Sequence, residues 1–233
     1  MSFPKATGEP VDWTAFRLSL ELAAWTTALL LPLGIVVGRW LAAHRFRGRG
    51  FVEALIALPL VLPPTVLGYY LLVSFSRDAP VGQVWHALTG ESLSFSFPGI
   101  VLASVVFNLP FAIQPVQRAF ETIPGHIREA AWCSGLSGWA TFVRIELPLI
   151  WPGLVSAFVL TFVHTIGEFG VVLMVGGAID GETRTVAIAI YDRVQAFDDQ
   201  AAGAMSLLLL VVSFVAIALV YGLTGRGRHL HVR

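Results

Sequence analysis

Five apolar stretches alternate with shorter polar segments along this chain, at about residues 13–41, 52–75, 98–116, 149–175 and 202–223. A bilayer core about 30 Å thick is crossed by about 20 residues at about 1.5 Å rise per residue, and each stretch is of that order. Lipid offers no partner for backbone N–H and C=O groups, so such segments span as helices or as strands of a closed barrel. None shows the two-residue alternation of a barrel strand, and the pattern therefore predicts helices. The expected fold class is an all-α integral membrane protein of about five transmembrane helices. The expected organisation is an external segment 1–12, a membrane domain 13–223 and a cytoplasmic tail 224–233.

Composition strengthens this picture. Hydrophobic residues make up 56% of the chain and charged residues 13%, against about 25% charged in soluble domains. Apolar runs of this length leave a soluble helical bundle too little polar surface. Cys133 is the single cysteine, which excludes an internal disulfide and argues against a cysteine-built metal site. Formal net charge is zero, so overall charge points to no nucleic-acid partner. The polar start, with Lys5 and Glu9, lacks the form of a cleavable signal, and the first span is expected to stay as an anchor.

Orientation follows from the basic residues. With the N-terminus outside and the C-terminus in the cytoplasm, ten of the fifteen fall inside: Arg39, Arg45, Arg47, Arg49, Arg118, Arg128, Arg144, Arg226, Arg228 and Arg233. Lys5, Arg17, Arg77, Arg184 and Arg193 fall outside, among acidic segments. The bias obeys the positive-inside rule.

Prolines interrupt the apolar pattern. Pro59, Pro63 and Pro64 lie in the second span, Pro110 and Pro115 in or near the third, and Pro152 at the start of the fourth. Each removes a backbone donor and is expected to bend or break its helix. The segment 121–148 is long and of mixed polarity, which for a connection of 28 residues points to function. Ile123-Pro124 should end one helix, a short helix should follow through Cys133, and Gly135 should turn the chain. A second helical piece, Trp139 to Ile145, then leads back to the membrane. Two short helices joined at a glycine form a knob suited to a groove on a cytoplasmic partner.

That segment resembles the cytoplasmic loop signature of bacterial ABC importer permeases: E-A-A, three residues, G, nine residues, then I-x-L-P. Here it reads Glu129-Ala130-Ala131, Gly135, and Ile145-Glu146-Leu147-Pro148, with every defined position at the family's spacing. The run Leu58 to Tyr69 is similar to the second core span of the molybdate transport permeases in particular. Gly167-Glu168-Phe169-Gly170 resembles a motif those share with sulfate permeases, and Gly181-Glu182-Thr183-Arg184-Thr185 the outer segment after it. Asp180 stands where that family usually has proline. The resemblance implies a type I importer fold whose coupling helix docks in an ATPase subunit. It further implies a homodimer in the bacterial inner membrane, two ATPase subunits that bind ATP and magnesium, and an external binding protein delivering an oxyanion. Molybdate is the implied cargo, with sulfate, thiosulfate or tungstate as alternatives. The chain has no G-x-x-x-x-G-K-[S/T] loop, so no bound cofactor and no ATP hydrolysis are expected of it.

Polar residues inside spans are functional candidates because burying them is costly. Glu168 follows His164 by four residues and is expected to share its helix face, either lining or gating a pathway or pinning helix packing. Two such residues do not make a metal site. A carboxylate repels an oxyanion, so anion contacts are expected instead from groups such as Thr65, Asn108 and Thr165, for which interhelical hydrogen bonding is the competing role. Arg184 either attracts anions at the outer mouth or pairs with Glu182 or with an acid on a delivery protein. An ion-coupled secondary transporter would show internal repeats, which are not evident. An intramembrane enzyme would need more convergent groups than the His164/Glu168 pair.

Overall fold

The structure, a computed structural model, describes residues 11–225; Lys5, Arg226, Arg228 and Arg233, with nearly all of segments 1–12 and 224–233, lie outside the described residues. The chain begins with α1 (Trp13–Ala43), capped by the Asp12 side chain, which accepts from the Ala15 N–H at 3.0 Å. Next come α2 (Arg49–Val61), α3 (Pro64–Phe75), a short α4 (Pro80–Thr89) and the long α5 (Phe97–Glu121). The short α6 (Gly125–Cys133) and α7 (Gly138–Thr141) are followed by a π-helical turn (Phe142–Glu146) and α8 (Leu147–Leu149). Then α9 (Trp151–Ile166), α10 (Gly170–Gly176), α11 (Val186–Gln195) and α12 (Asp199–Gly225) complete the described chain. With each bent helix pair counted as one span, it contains five candidate membrane spans.

Two spans are broken: the break within 52–75 falls at Pro63-Pro64, where the prolines predict one, and that within 149–175 falls at Gly167–Phe169, where no proline stands. Helices α2 and α3 meet at 108°. Leu62 and Pro63 are extended there, as residues preceding proline must be, and Pro64 starts the next helix at a position where its missing N–H costs nothing. The fourth span ends as a helix at Ile166, crosses Gly167–Phe169 without helical structure and resumes at Gly170. By contrast α5 continues as one helix through Pro110 and Pro115, so no break occurs at these residues. Its buried residues on both sides of them, among them Phe107, Ala112, Ile113 and Val116, hold it against its neighbours, so the loss of a bond at each proline does not break the helix.

The core is the α1–α5 pair with α9 and α10 packed against it. Close approach there depends on Gly34 and Gly38 of α1. A Cβ at Gly34 would lie 2.9 Å from the Ala112 carbonyl oxygen, and one at Gly38 2.9 Å from the Gln117 nitrogen. This is the small-xxx-small contact by which membrane helices gain dispersion energy. Leu22, Ile100, Val172 and Ile188 form one buried cluster; Val116, Phe120, Ile123 and Ile150 form another beside the knob. Helices α4 and α11 were not evident in the hydropathy pattern, being short and amphipathic.

Candidate functional site

At one end of the molecule, α6, α7, the π-helical turn and α8 make the knob. Gly135 has φ +82°, and the turn closes in a Schellman pattern: the Gly135 N–H donates to the Trp132 carbonyl and the Leu136 N–H to that of Ala131. Ser137 then caps α7, accepting from the Ala140 N–H at 3.2 Å. Glu129 and Ala130 are exposed, as are Trp132, Cys133 and Gly135, while Ala131 is buried against the body. The outer face of α6 is thus open to a partner, and its inner face is fixed by Ala131 and by Ile127, which packs on the Val116, Phe120 and Ile150 cluster. Ile145 and Leu147 are half-buried; Leu147 packs beside Val116 and Ile150, and Pro148 is exposed in the first turn of α8.

The position between Ile145 and Leu147 proves to be the structural centre of the knob. Glu146 is 1% exposed; its Oε2 accepts from Arg39 Nε of α1 at 2.7 Å and its Oε1 from Arg128 Nε of α6 at 2.5 Å. Arg39 also lies over the Phe142 ring, 5.0 Å from its centroid. One carboxylate therefore ties the first span, the short helix and the return turn together. Sequence reasoning passed over it because the family signature leaves that position undefined. The signal present was an acid in the otherwise apolar run leading into a span. Nearby, Arg49 bonds both Glu53 and Glu121, and Gln117 donates to the same two carboxylates, joining the start of α2 to the end of α5.

The second site lies at the break of the fourth span. His164 is on α9, but Glu168 lies past the helix end, so they do not share a helix face as expected. They meet instead through α5. Glu168 Oε2 accepts from Ser104 Oγ at 3.1 Å and from Asn108 Nδ2 at 3.4 Å, and His164 Nδ1 lies 2.9 Å from Asn108 Oδ1. Asn108 Nδ2 also donates to the Ser104 carbonyl, so its oxygen is the acceptor left for histidine and Nδ1 carries the proton. Phe107 and Phe111 flank the imidazole. Glu168 is 5% exposed, and its Oε1 has no partner among the described residues. Thr165 is buried and donates to the Thr161 carbonyl within its own helix, and Thr65 is exposed on α3; neither bonds to the cluster. Ser104, four residues before Asn108 in an apolar span, was the legible but unread sign of this site.

At the opposite end, Arg184 is not paired with Glu182, which is exposed. It bonds Asp192 through Nε at 2.9 Å, and Asp180 at 2.8 Å and Asp12 at 3.1 Å through Nη1. Burial works against its charge, but the bonds to Asp192 and Asp180 outweigh that and hold its pKa above the ordinary arginine value. Asp180, the departure from the family's proline, is a partner of this arginine. Thr183 fixes the turn, donating to the Gly176 carbonyl at 2.7 Å and accepting from the Ile179 N–H at 3.0 Å.

The arrangement of broken spans, a knob with an open face and separated ionic ends has counterparts among known proteins. The profile of the family described as binding-protein-dependent transport system inner membrane component matches residues 31–228. The chain belongs to this family. It is 46% identical over 210 residues to the molybdenum transport system permease protein ModB of Azotobacter vinelandii, covering 90% of this chain and 93% of that one. It is 28% identical over 216 residues to the probable sulfate transport system permease protein cysT of Anthoceros angustus, covering 93% and 75%. The fold is similar to that of a chain in the crystal structure of a bacterial ABC transporter importing the acidic polysaccharide alginate. That match has a TM-score of 0.73 at 18% identity and covers 92% of this chain and 79% of that one. The protein is a multi-pass membrane permease subunit of an ABC importer, and ATP hydrolysis resides in other chains of such systems.

Proposed function

We propose that this permease carries molybdate across the bacterial inner membrane, with the knob end in the cytoplasm and the Arg184 end outside. The observation that carries the proposal is the knob itself: Glu129, Ala130 and Gly135 present an open face, while Ala131 and the Glu146 ion pairs bind the opposite side to α1. A rigid, anchored helix with a free outer face is what a docking surface for an ATPase requires. Two copies would form the pathway about a shared two-fold axis, with two ATPases carrying ATP and magnesium below and a binding protein above. ATPase closure would push on α6 and, through Glu146, on α1, switching the pathway between inward-facing and outward-facing states. The 46% identity to a molybdenum permease against 28% to a sulfate permease favours molybdate over sulfate.

In this reading the Ser104, Asn108, His164 and Glu168 cluster is a closure device at the span break and not an anion ligand set. Its carboxylate repels an oxyanion and its donors are already used within the cluster. Thr65, exposed on α3 beside the break, is the pathway-lining group, and Thr165 serves packing.

The exposed Cys133 supplies the experiment. A membrane-impermeant maleimide should label it in inverted vesicles and not in right-side-out vesicles, and added ATPase subunit should protect it. Reconstituted complex with its binding protein should then take up molybdate at concentrations where sulfate is not transported. Labelling from the outer side would sink the topology, and equal sulfate uptake would sink the cargo assignment.

A further inference from the structure

Beside the knob, the end of α1 and the α7 region enclose a groove of about 400 Å3, lined by Ile35, Val36, Trp40, Trp139 and Phe142 with Arg39 and His44 at its edge. Its walls are open: Val36 is 67% exposed and Trp139 74%. Phe46 folds back on Trp40, their rings 4.9 Å apart, so the chain leaving α1 stays against the groove. That chain carries Arg45 and Arg47, and the π-helical turn carries Arg144. All three are exposed and form no ion pair among the described residues. Arg39 gives only its Nε to Glu146, and no bond from its terminal nitrogens is found among the described residues.

We propose that this groove binds an anionic glycerophospholipid of the cytoplasmic leaflet, its acyl chain along Ile35 and Val36 and its phosphate at Arg39 and the exposed Arg45 and Arg47 that flank Phe46. The occupant must be apolar at the depth of Val36 and anionic one turn lower, where tryptophans mark the membrane interface. A phospholipid of negative headgroup has that form, and basic pockets at the cytoplasmic face of membrane helices suit it. A second copy of the chain fits poorly. A two-fold contact here would set each arginine rim against its own image. The inference rests on the topology proposed above, which places this end in the cytoplasm.

The test is native mass spectrometry of the purified transporter titrated with phosphatidylglycerol or phosphatidylethanolamine. Wild-type protein should retain phosphatidylglycerol preferentially. R45Q/R47Q should weaken that retention about thirtyfold, on the scale of two interfacial arginines. Val36→Trp, which fills the groove at an exposed position, should weaken retention of the lipid, and Arg77→Gln at the other end should leave it unchanged. Equal retention of the two lipids, or retention indifferent to both groove variants, overturns the proposal. So does an interchain disulfide formed by Val36→Cys in a Cys133→Ser background, which would give the groove to a second copy. Outside labelling of Cys133 with lipid retention intact would refute the topology while leaving the lipid site standing.

Discussion

Replacing Glu146 by glutamine removes a charge that two arginines share without changing the shape of the side chain. The consequence for α6 follows from what else holds that helix. Its one fully buried residue is Ala131, and half-buried Ile127 packs against the Val116, Phe120 and Ile150 cluster; together these contribute about 1–2 kcal/mol. The Arg128 bond to Glu146 is charge-assisted, and bonds of that kind contribute about 1.5–3 kcal/mol. The ion pair therefore holds α6 at least as strongly as its apolar contacts do. Breaking a buried pair generally costs about 3–5 kcal/mol. Here the arginines left behind are 43% and 20% exposed and regain water, which places the loss nearer about 2–3 kcal/mol. At about 1.4 kcal/mol per tenfold, local opening of α6 rises about 30- to 150-fold. Hydrogen exchange measures this directly: α6 amides in Glu146→Gln should exchange faster by that factor, while those of α5 stay near wild type. Glu129→Gln, at an exposed position with no bonded partner among the described residues, should leave α6 unchanged. Exchange in α6 within threefold of wild type in Glu146→Gln would refute the reasoning and return the anchoring of the knob to apolar packing.

Three further substitutions probe the other features. Gly135→Val forces a β-branched residue into φ +82° at a cost of about 1–2 kcal/mol, and should lower ATPase co-purification and uptake; Gly135→Asn should retain both, because the space around it is open. Asn108→Ala leaves Glu168 and His164 buried with fewer partners and should lower stability by about 2–4 kcal/mol, read as a fall in the unfolding midpoint in detergent. Arg184→Gln should loosen α1 from α11 by about 0.5–1 kcal/mol, an effect that shrinks in high salt, and should leave the apparent affinity for molybdate unchanged because three aspartates already offset the arginine charge.

The parts of the fold legible in the sequence are those set by local physics. Apolar length gave the spans, and Pro124, Gly135 and the Glu129–Ala131 run outlined the knob. The broken spans were only half legible. Pro63-Pro64 names its own break because proline restricts its predecessor and opens a helix. Gly167-Glu168-Phe169 contains no such prohibition, and at its break the carboxylate is received by Ser104 and Asn108 of α5, 64 and 60 residues away. The same limit applied to Glu146, whose partners lie 107 and 18 residues away.

These two glutamates occupy opposite regimes, and the difference bears on how the permease could move. Glu146 is held by two full charges, so separating it from both arginines exposes three charged groups at once; its end of the molecule should move as a unit. Glu168 is held through one oxygen by neutral donors while its other oxygen is unpartnered among the described residues. Neutral hydrogen bonds contribute about 0.5–1.5 kcal/mol each, and the unpartnered oxygen gains a partner if the break opens to water or to another polar group. The knob is therefore the stiffer joint and the break the softer one. A push on α6 reaches α1 through a stiff ionic joint, and α1 packs against the α5 helix that holds the weaker joint. Under the proposed coupling from the knob end, this ordering of a stiff joint at the knob and a soft joint at the span break would make Gly167–Phe169 the segment that yields first.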